Sequence, residues 1–202
     1  CPLKKPPELN TNVKGLDYFK WWDFNHQLQN NSSRQIIDNH QAEHKLDEVL
    51  NEAVQSQLIS DVPIGSFLSG GIDSSLITAM MQKNSKSSVR TFSLGFQEYQ
   101  FDESKYAKKI AEHLKTDHNE LIISHKDSLQ IIPTLCEIYD EPFADSSQIP
   151  TCIISKFARE KITVALSGDG GDELFGGYNR YFWTERIWNK VRFLPLTLRK
   201  KI

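Results

Sequence analysis

Cysteine, charge of one sign and long apolar runs are all scarce in this chain of 202 residues. Its three cysteines, Cys1, Cys136 and Cys152, form neither a dense even set nor a Cys-x-x-Cys pair. That excludes a disulfide-stapled secreted scaffold and a zinc knuckle. Twenty-four Lys and Arg against 26 Asp and Glu leave a formal charge of -2. A balance of that kind lacks the basic footprint of a nucleic-acid binder. No apolar run is long enough to span a bilayer, and the opening Cys1-Pro2-Leu3-Lys4-Lys5-Pro6-Pro7 has no apolar signal core. These absences together predict a cytoplasmic protein with neither membrane nor nucleic acid as partner. The chain also lacks an initiator Met and stops at Arg199-Lys200-Lys201-Ile202 within a polar helical pattern, which reads as an excised piece of something longer. A hydrophobic content of 39% is enough for one full-sized core.

Residues 1–40 are rich in Pro, Asn, Gln and Ser around one aromatic island, Tyr18 to Phe24, and read as a linker or junction with a docking segment. From residue 41 the pattern changes. Leu46, Val49, Leu50, Ala53, Val54 and Leu58 recur at helical spacing. Short apolar runs at Pro63 to Leu68, Thr91 to Phe96, Glu120 to Ile123 and Ile162 to Leu166 predict four strands. Between them, Ser74 to Met81, Glu103 to Leu114, Ser128 to Tyr139 and Pro150 to Arg159 predict helices. Parallel neighbours need a crossover, so regular alternation implies an α/β fold: a parallel sheet flanked by helices. Ligands of such sheets bind at the carboxyl ends of the strands, where Gly70-Gly71 and Gly168 to Gly171 both fall.

The first cluster is Ser69-Gly70-Gly71-Ile72-Asp73-Ser74, a strand end feeding a helix start. Backbone N–H groups and the helix dipole converge there, the glycines let the chain approach a ligand closely, and Ser69 and Ser74 offer hydroxyls. A phosphate fits. Asp73 would repel it unless a divalent cation stands between them, so magnesium is implied; the plainer alternative is that Asp73 only caps the helix. Other glycine-loop classes fail on particular residues. A Walker loop on Gly65 and Gly70 would need Lys where Gly71 stands, and a nucleophile elbow on Ser69 would need Gly where Phe67 stands. A dinucleotide fingerprint starting at Gly168 would need Gly where Glu173 stands. The arrangement resembles the loop of the ATP pyrophosphatases, which cleave ATP between the α and β phosphates.

The second cluster, Ser167-Gly168-Asp169-Gly170-Gly171-Asp172-Glu173-Leu174-Phe175-Gly176-Gly177-Tyr178, presents acids at another strand end. Part of it also looks like one turn of a calcium-binding β-roll, an architecture that needs several stacked copies where this chain has one. With both loops in this order, and Asp140-Glu141-Pro142-Phe143-Ala144-Asp145-Ser146-Ser147 between them, the chain resembles the synthetase domain of glutamine-hydrolysing asparagine synthetases. The likeness is strong over residues 60–182 and weaker over Tyr18 to Phe24, which is similar to the junction after that family's glutaminase domain. It implies an adenine nucleotide α-hydrolase-like fold, with residues 1–40 as the junction and residues 41–202 as a synthetase domain cut short at its C-terminal end. The implied reaction uses ATP and Mg2+. A carboxylate, aspartate first among candidates, attacks the α-phosphate, pyrophosphate leaves, and ammonia from glutamine displaces AMP. A sugar acid is the runner-up acceptor, and a non-catalytic nucleotide- or calcium-binding module is the alternative of another class.

By the same resemblance, Ser69, Gly70, Gly71, Asp73 and Ser74 correspond to the pyrophosphate loop, and Asp73 with Asp172 to the magnesium-binding aspartates. Leu68, Leu94, Gly95, Ser167 and Gly168 correspond to positions around the adenosine. Asp145 to Ser147 correspond to a loop near the acceptor. Asp169 falls where some members carry a Glu proposed to manage protons during amidation; bracing its own glycine turn is the equal alternative. The family often dimerises, which makes a homodimer one implied assembly. Two family features are missing. Cys1 is followed by Pro2-Leu3 rather than Gly and by no glutaminase-like domain, so it reads as a boundary rather than a nucleophile, and the family's downstream lysine lies past this chain's end. His40 and His44, His113 and His118 lack companions for a metal site, and the aromatics Tyr178, Tyr181, Phe182, Trp183 and Trp188 read as the packed side of a helix.

Overall fold

The computed structural model describes residues 11–13, 16–18, 20–31, 38–97, 103–142 and 144–199. Cys1 and Lys200 to Ile202, which figure in the sequence reading, lie outside the described residues. The chain falls into two compact units that divide within a helix, between Val49 and Leu50. In the first unit, strands β1 (Thr11–Val13) and β2 (Leu16–Tyr18) pair antiparallel, and helix α1 (Phe24–Asn31) follows. These three short elements lie within the stretch read from sequence as a linker or junction with a docking segment.

Helix α2 (Asn39–Gln57) spans the division and leads to strand β3 (Ile64–Phe67), helix α3 (Ile72–Asn84) and strand β4 (Arg90–Phe96). Helix α4 (Ser104–Leu114), strand β5 (Asp117–Ile123) and helix α5 (His125–Ile131) come next. A 3-10 turn (Ile132–Thr134) joins α5 to the short helix α6 (Leu135–Ile138). Then come α7 (Gln148–Arg159), strand β6 (Val164–Leu166), α8 (Gly171–Phe175), α9 (Asn179–Val191) and α10 (Leu196–Arg199). The expected single helix from Ser128 to Tyr139 is thus broken, because Pro133 has no N–H to continue the α pattern.

The second unit is built on one four-stranded sheet, ordered β5-β4-β3-β6, with every pair parallel. Chain order runs outward from β3 through β4 to β5, then reverses to place β6 on the other side of β3. Parallel sheets of this kind open a crevice at the carboxyl ends of the two strands where the order reverses. Here those strands are β3 and β6, and they end at Ser69-Gly70-Gly71 and at Ser167-Gly168.

Successive residues of β3 face opposite layers, as strand geometry requires. Phe67 joins Phe92, Ala165, Phe157, Ala158 and Ile162 on the α7 side. Leu68 packs with Ala107 and Ala111 of α4, and Ile64 joins Val54, Met80, Met81 and Val89 beneath α2 and α3. Helices cover both faces, as the alternation of elements requires. The α2 pattern is only half used, since Val54 is buried and Leu50 and Leu58 pack against the cluster while Leu46 and Val49 stay exposed.

The α3–α4 layer also contains polar groups, all paired. Ser66 Oγ meets Thr78 Oγ1 at 2.8 Å, and His118 places Nδ1 3.0 Å from Thr91 Oγ1 and Nε2 3.2 Å from Ser93 Oγ. Burial holds the His118 imidazole below the usual histidine value; Lys108 adds to this, while Glu120 and Glu112 oppose it. The unfolded chain therefore takes up a proton that the folded one refuses as pH drops through the ordinary histidine range near 6.5. The contribution of His118 is complete above that range and is lost progressively below it. Urea denaturation at pH 7.5 and at pH values stepping down to 5 is expected to show falling stability, with a shallower fall in His118→Asn. Equal acid slopes in the two proteins contradict this account.

Candidate functional site

The β3–α3 loop is closed by its own serines. Ser69 and Ser74 join their hydroxyls at 2.9 Å, Ser69 N–H donates to Ser74 Oγ at 3.2 Å, and Gly71 N–H donates to Ser69 Oγ at 3.2 Å. The two hydroxyls thus brace the loop as well as standing beside the cavity. Gly70 carries the turn at φ +86°, and a β-carbon there would stand 2.8 Å from the backbone nitrogen of Ala107 in α4. Only glycine tolerates both conditions. Helix α3 then starts from Gly71 without any side-chain cap. Its first-turn N–H groups, those of Ile72, Asp73 and Ser74, have no acceptor among the described residues. Asp73 is therefore not a cap. Its carboxylate turns toward the other loop, so that Oδ2 falls 2.6 Å from where a β-carbon on Gly171 would stand.

The β6–α8 loop closes on α3 from the opposite side. A β-carbon on Gly168 would sit 2.6 Å from the backbone nitrogen of Ser74 and 2.9 Å from the carbonyl carbon of Asp73. Ser167 donates its hydroxyl to Asp169 Oδ2 at 2.9 Å, so Asp169 does brace its turn while also lining the cavity. Gly171–Phe175 is a short helix entered through Gly170 and left through Gly176, both left-handed, and not a β-roll turn. Beyond it, the Tyr178 hydroxyl donates to Glu173 Oε1 at 2.6 Å. That bond pushes the Tyr178 phenol up to about 12 and draws Glu173 down. Arg180 lies 4.0 Å above the Tyr178 ring. These links pin the far end of the loop.

A cavity of about 940 Å³ lies between the two loops. Leu68, Ser69, Gly71, Asp73, Ser74, Leu94, Ser167, Gly168, Asp169 and Asp172 all line it. Gly70 and Gly95 do not: Gly70 packs on α4 at Tyr106 and Ala107, and Gly95 lies against Ser104. Asp145 to Ser147 also stand apart from this lining, with Asp145 accepting the Ser147 N–H at 2.8 Å, a bond that lowers its carboxyl. Phe96, Glu103, Thr151 and Ile154 line the cavity but were not singled out as site residues from sequence. The available signal was positional, because Glu103 follows the carboxyl end of β4, beside the same crevice. Neither Asp73 nor Asp172 has a cationic partner or a side-chain hydrogen bond among the described residues. No group of three or more His, Cys, Asp or Glu side chains suited to a metal ion occurs among them either. His44, one of the histidines set aside from sequence, pairs with Glu48 on an exposed face of α2.

The asparagine synthase family model matches residues 45–202. The chain belongs to this family. A provisionally named glutamine-hydrolysing asparagine synthetase 2 of Methanocaldococcus jannaschii is 43% identical over 153 residues, which are 75% of this chain and 29% of that protein. Glutamine-hydrolysing asparagine synthetase 1 of Bacillus subtilis is 42% identical over 134 residues, 66% of this chain and 21% of that protein. The chain thus spans less than a third of the length of these relatives. Among solved structures it is similar to an NH3-dependent NAD synthetase of Campylobacter jejuni, with 19% identity and a TM-score of 0.46 over 67% of this chain and 60% of that one. Among the described residues, no helix is long and apolar enough to cross a membrane.

The contact between the loops gives a direct test of this geometry. Gly168→Ala forces a β-carbon onto the α3 backbone, an overpacking that costs roughly 1–3 kcal/mol. Thermal unfolding is expected to show a drop in Tm of about 2–4 °C per kcal/mol for a chain of this size. Gly170→Ala serves as the comparison, because no atom lies within 4 Å of its added carbon. It is expected to show only the cost of its left-handed backbone. A Gly168→Ala protein as stable as the parent contradicts the close approach.

Proposed function

We propose that this chain is the nucleotide-activating part of an ATP-dependent amide-forming ligase, with residues 41–202 as its synthetase domain and residues 1–40 as the junction leading into it. The observation that carries the proposal is the pair of carboxylates, Asp73 and Asp172, unpaired among the described residues and facing one cavity at the reversal of the sheet. Uncapped N–H groups at the start of α3 suit a phosphate, since helix N-termini attract anions. Two unpaired acids beside a polyphosphate are repulsive unless a cation joins them. Magnesium characteristically binds through one or two carboxylates plus phosphate oxygens, so this donor set fits it without a third protein ligand. When bound, the ion neutralises charge that builds on the departing pyrophosphate.

The chain's own residues then have distinct tasks. Leu94 and Phe96 offer apolar surface to the base, with Leu68 buried against α4 at the cavity wall, and the α3 N-terminus orients the phosphates. The acceptor carboxylate oxygen bonds to the α-phosphorus as the bond to the β-phosphate oxygen breaks. Ammonia next bonds to the acyl carbon, AMP leaves, and the surplus ammonia proton is released. Asp169, held at the cavity by Ser167, is the carboxylate placed to take that proton. Aspartate is the acceptor in this reading, ammonia comes from a glutaminase domain outside this chain, and the setting is the cytoplasm. The relatives' names, as glutamine-hydrolysing asparagine synthetases, support the choice of acceptor and of nitrogen source.

Isothermal titration of ATP into the 202-residue chain with magnesium is expected to give measurable binding, weakened at least about tenfold in Asp73→Asn through loss of a charged partner. Omitting magnesium should bring the two proteins together. Equal affinity with magnesium present contradicts the assignment of Asp73. Where turnover is seen with aspartate and ammonia, the products must be AMP and pyrophosphate, since ADP and phosphate would exclude this reaction.

A further inference from the structure

Glu103 lines the nucleotide cavity without an assigned task. It precedes α4, where its carbonyl accepts the N–H groups of Tyr106 at 3.0 Å and Ala107 at 3.2 Å, while its side chain makes no cap. Among the described residues the Glu103 carboxylate has neither a cationic partner nor a hydrogen-bond donor. The helix it opens bridges the two halves of the site. Ser104 abuts Gly95, with Oγ 2.9 Å from where a β-carbon there would stand, beside the base-facing surface of Leu94 and Phe96. Tyr106 and Ala107 abut Gly70 on the phosphate loop. Glu103, one residue before Ser104, therefore lines the cavity at the β4 end, next to the region suited to a base, while the residues of α4 that follow it reach the loop suited to phosphates.

A carboxylate in that place cannot serve the phosphates, because the repulsion would need a second cation. The part of a nucleotide between base and phosphates is the sugar. It is uncharged and carries adjacent hydroxyl donors that a carboxylate, an acceptor through both oxygens, can take together.

We infer that Glu103 is the sugar-reading residue of the site, accepting hydrogen bonds from the 2′ and 3′ hydroxyls and so selecting ribonucleotides over 2′-deoxyribonucleotides. The inference rests on the nucleotide reading given above. A site built around a substrate hydroxyl rejects the analogue lacking it, because its own polar group is left unpaired.

The test is calorimetric titration of the 202-residue chain, with magnesium, using ATP, 2′-deoxyATP and inosine triphosphate. The parent should prefer ATP over 2′-deoxyATP by about tenfold, the value of one charge-assisted hydrogen bond at a partly wet site. Glu103→Ala should bind both equally, at about the parent's affinity for the deoxynucleotide. Glu103→Gln, which keeps an acceptor without the charge, should retain part of the preference. Discrimination between ATP and inosine triphosphate should be the same in all three proteins. Matching circular dichroism melts confirm that the variants fold.

A parent that binds ATP and 2′-deoxyATP equally overturns the inference alone, as does a Glu103→Ala protein that keeps the preference. Loss of base discrimination in place of sugar discrimination also overturns it, since Glu103 would then face the base. A parent that binds no nucleotide at all overturns the nucleotide reading itself, and this inference with it.

Discussion

The second unit depends on one close approach: Gly168, at the end of β6, against the Asp73–Ser74 peptide that begins α3. Each loop alone is an ordinary strand-end turn. Brought within a β-carbon's width of each other, they become two walls of a single cavity and turn the carboxylate of one toward the backbone of the other. The sheet order makes this contact achievable, because β3 and β6 are neighbours at the point where the strand order reverses. Glycine makes it close. At Gly168 and Gly171 any side chain would occupy space already taken by Asp73 and Ser74.

That contact also explains how two acids come to stand at a phosphate-attracting helix start. Asp73 lies in the first turn of α3, beside uncapped N–H groups and in a helix field that attracts negative charge. The same field favours a phosphate, so Asp73 and a phosphate compete for one positive region. In the function proposed above, a shared cation would turn that competition into cooperation, with Asp172 across the gap as the second carboxylate. Neither acid is neutralised by a neighbouring Lys or Arg among the described residues, an arrangement that stability alone would not favour.

Much of the fold was legible because strands buried on both faces leave continuous apolar runs. Pro63 to Leu68 and Ile162 to Leu166 each contain the strand observed, and Thr91 to Phe96 misses only its first residue, Arg90. The glycine clusters were legible for a different reason, since a sharp turn at a strand end has few chemical solutions. What escaped was information that only three dimensions contain. Periodicity marked the aromatic helix α9 correctly, but Tyr181, Phe182, Trp183 and Trp188 are exposed among the described residues, where a packed side was expected. A 3.6-residue pattern tells which residues share a face and not whether anything covers it. Likewise Ser69 and Ser74 looked like two independent donors to a ligand, and their mutual hydrogen bond needed the fold of the loop to appear. Pro133 was visible, yet the helix signal on either side of it masked the break.

The division of labour between α3 and α4 decides how strictly the cavity can treat what enters it. α3 presents backbone, whose N–H groups are the same for any sequence, so its preference is for negative charge rather than for a particular molecule. α4 meets Gly95 through the Ser104 side chain and Gly70 through the Tyr106 β-carbon and its own backbone at Tyr106 and Ala107. A shift of α4 would therefore move the Gly70 turn and the end of β4 together. Leu68, fully buried with Ala107 and Ala111 of α4, fastens that helix to the sheet, and it is also the last residue before the Ser69-Gly70-Gly71 turn. Packing and recognition meet in that one side chain: the contact that holds α4 to the sheet sets the distance between the two ends of the cavity.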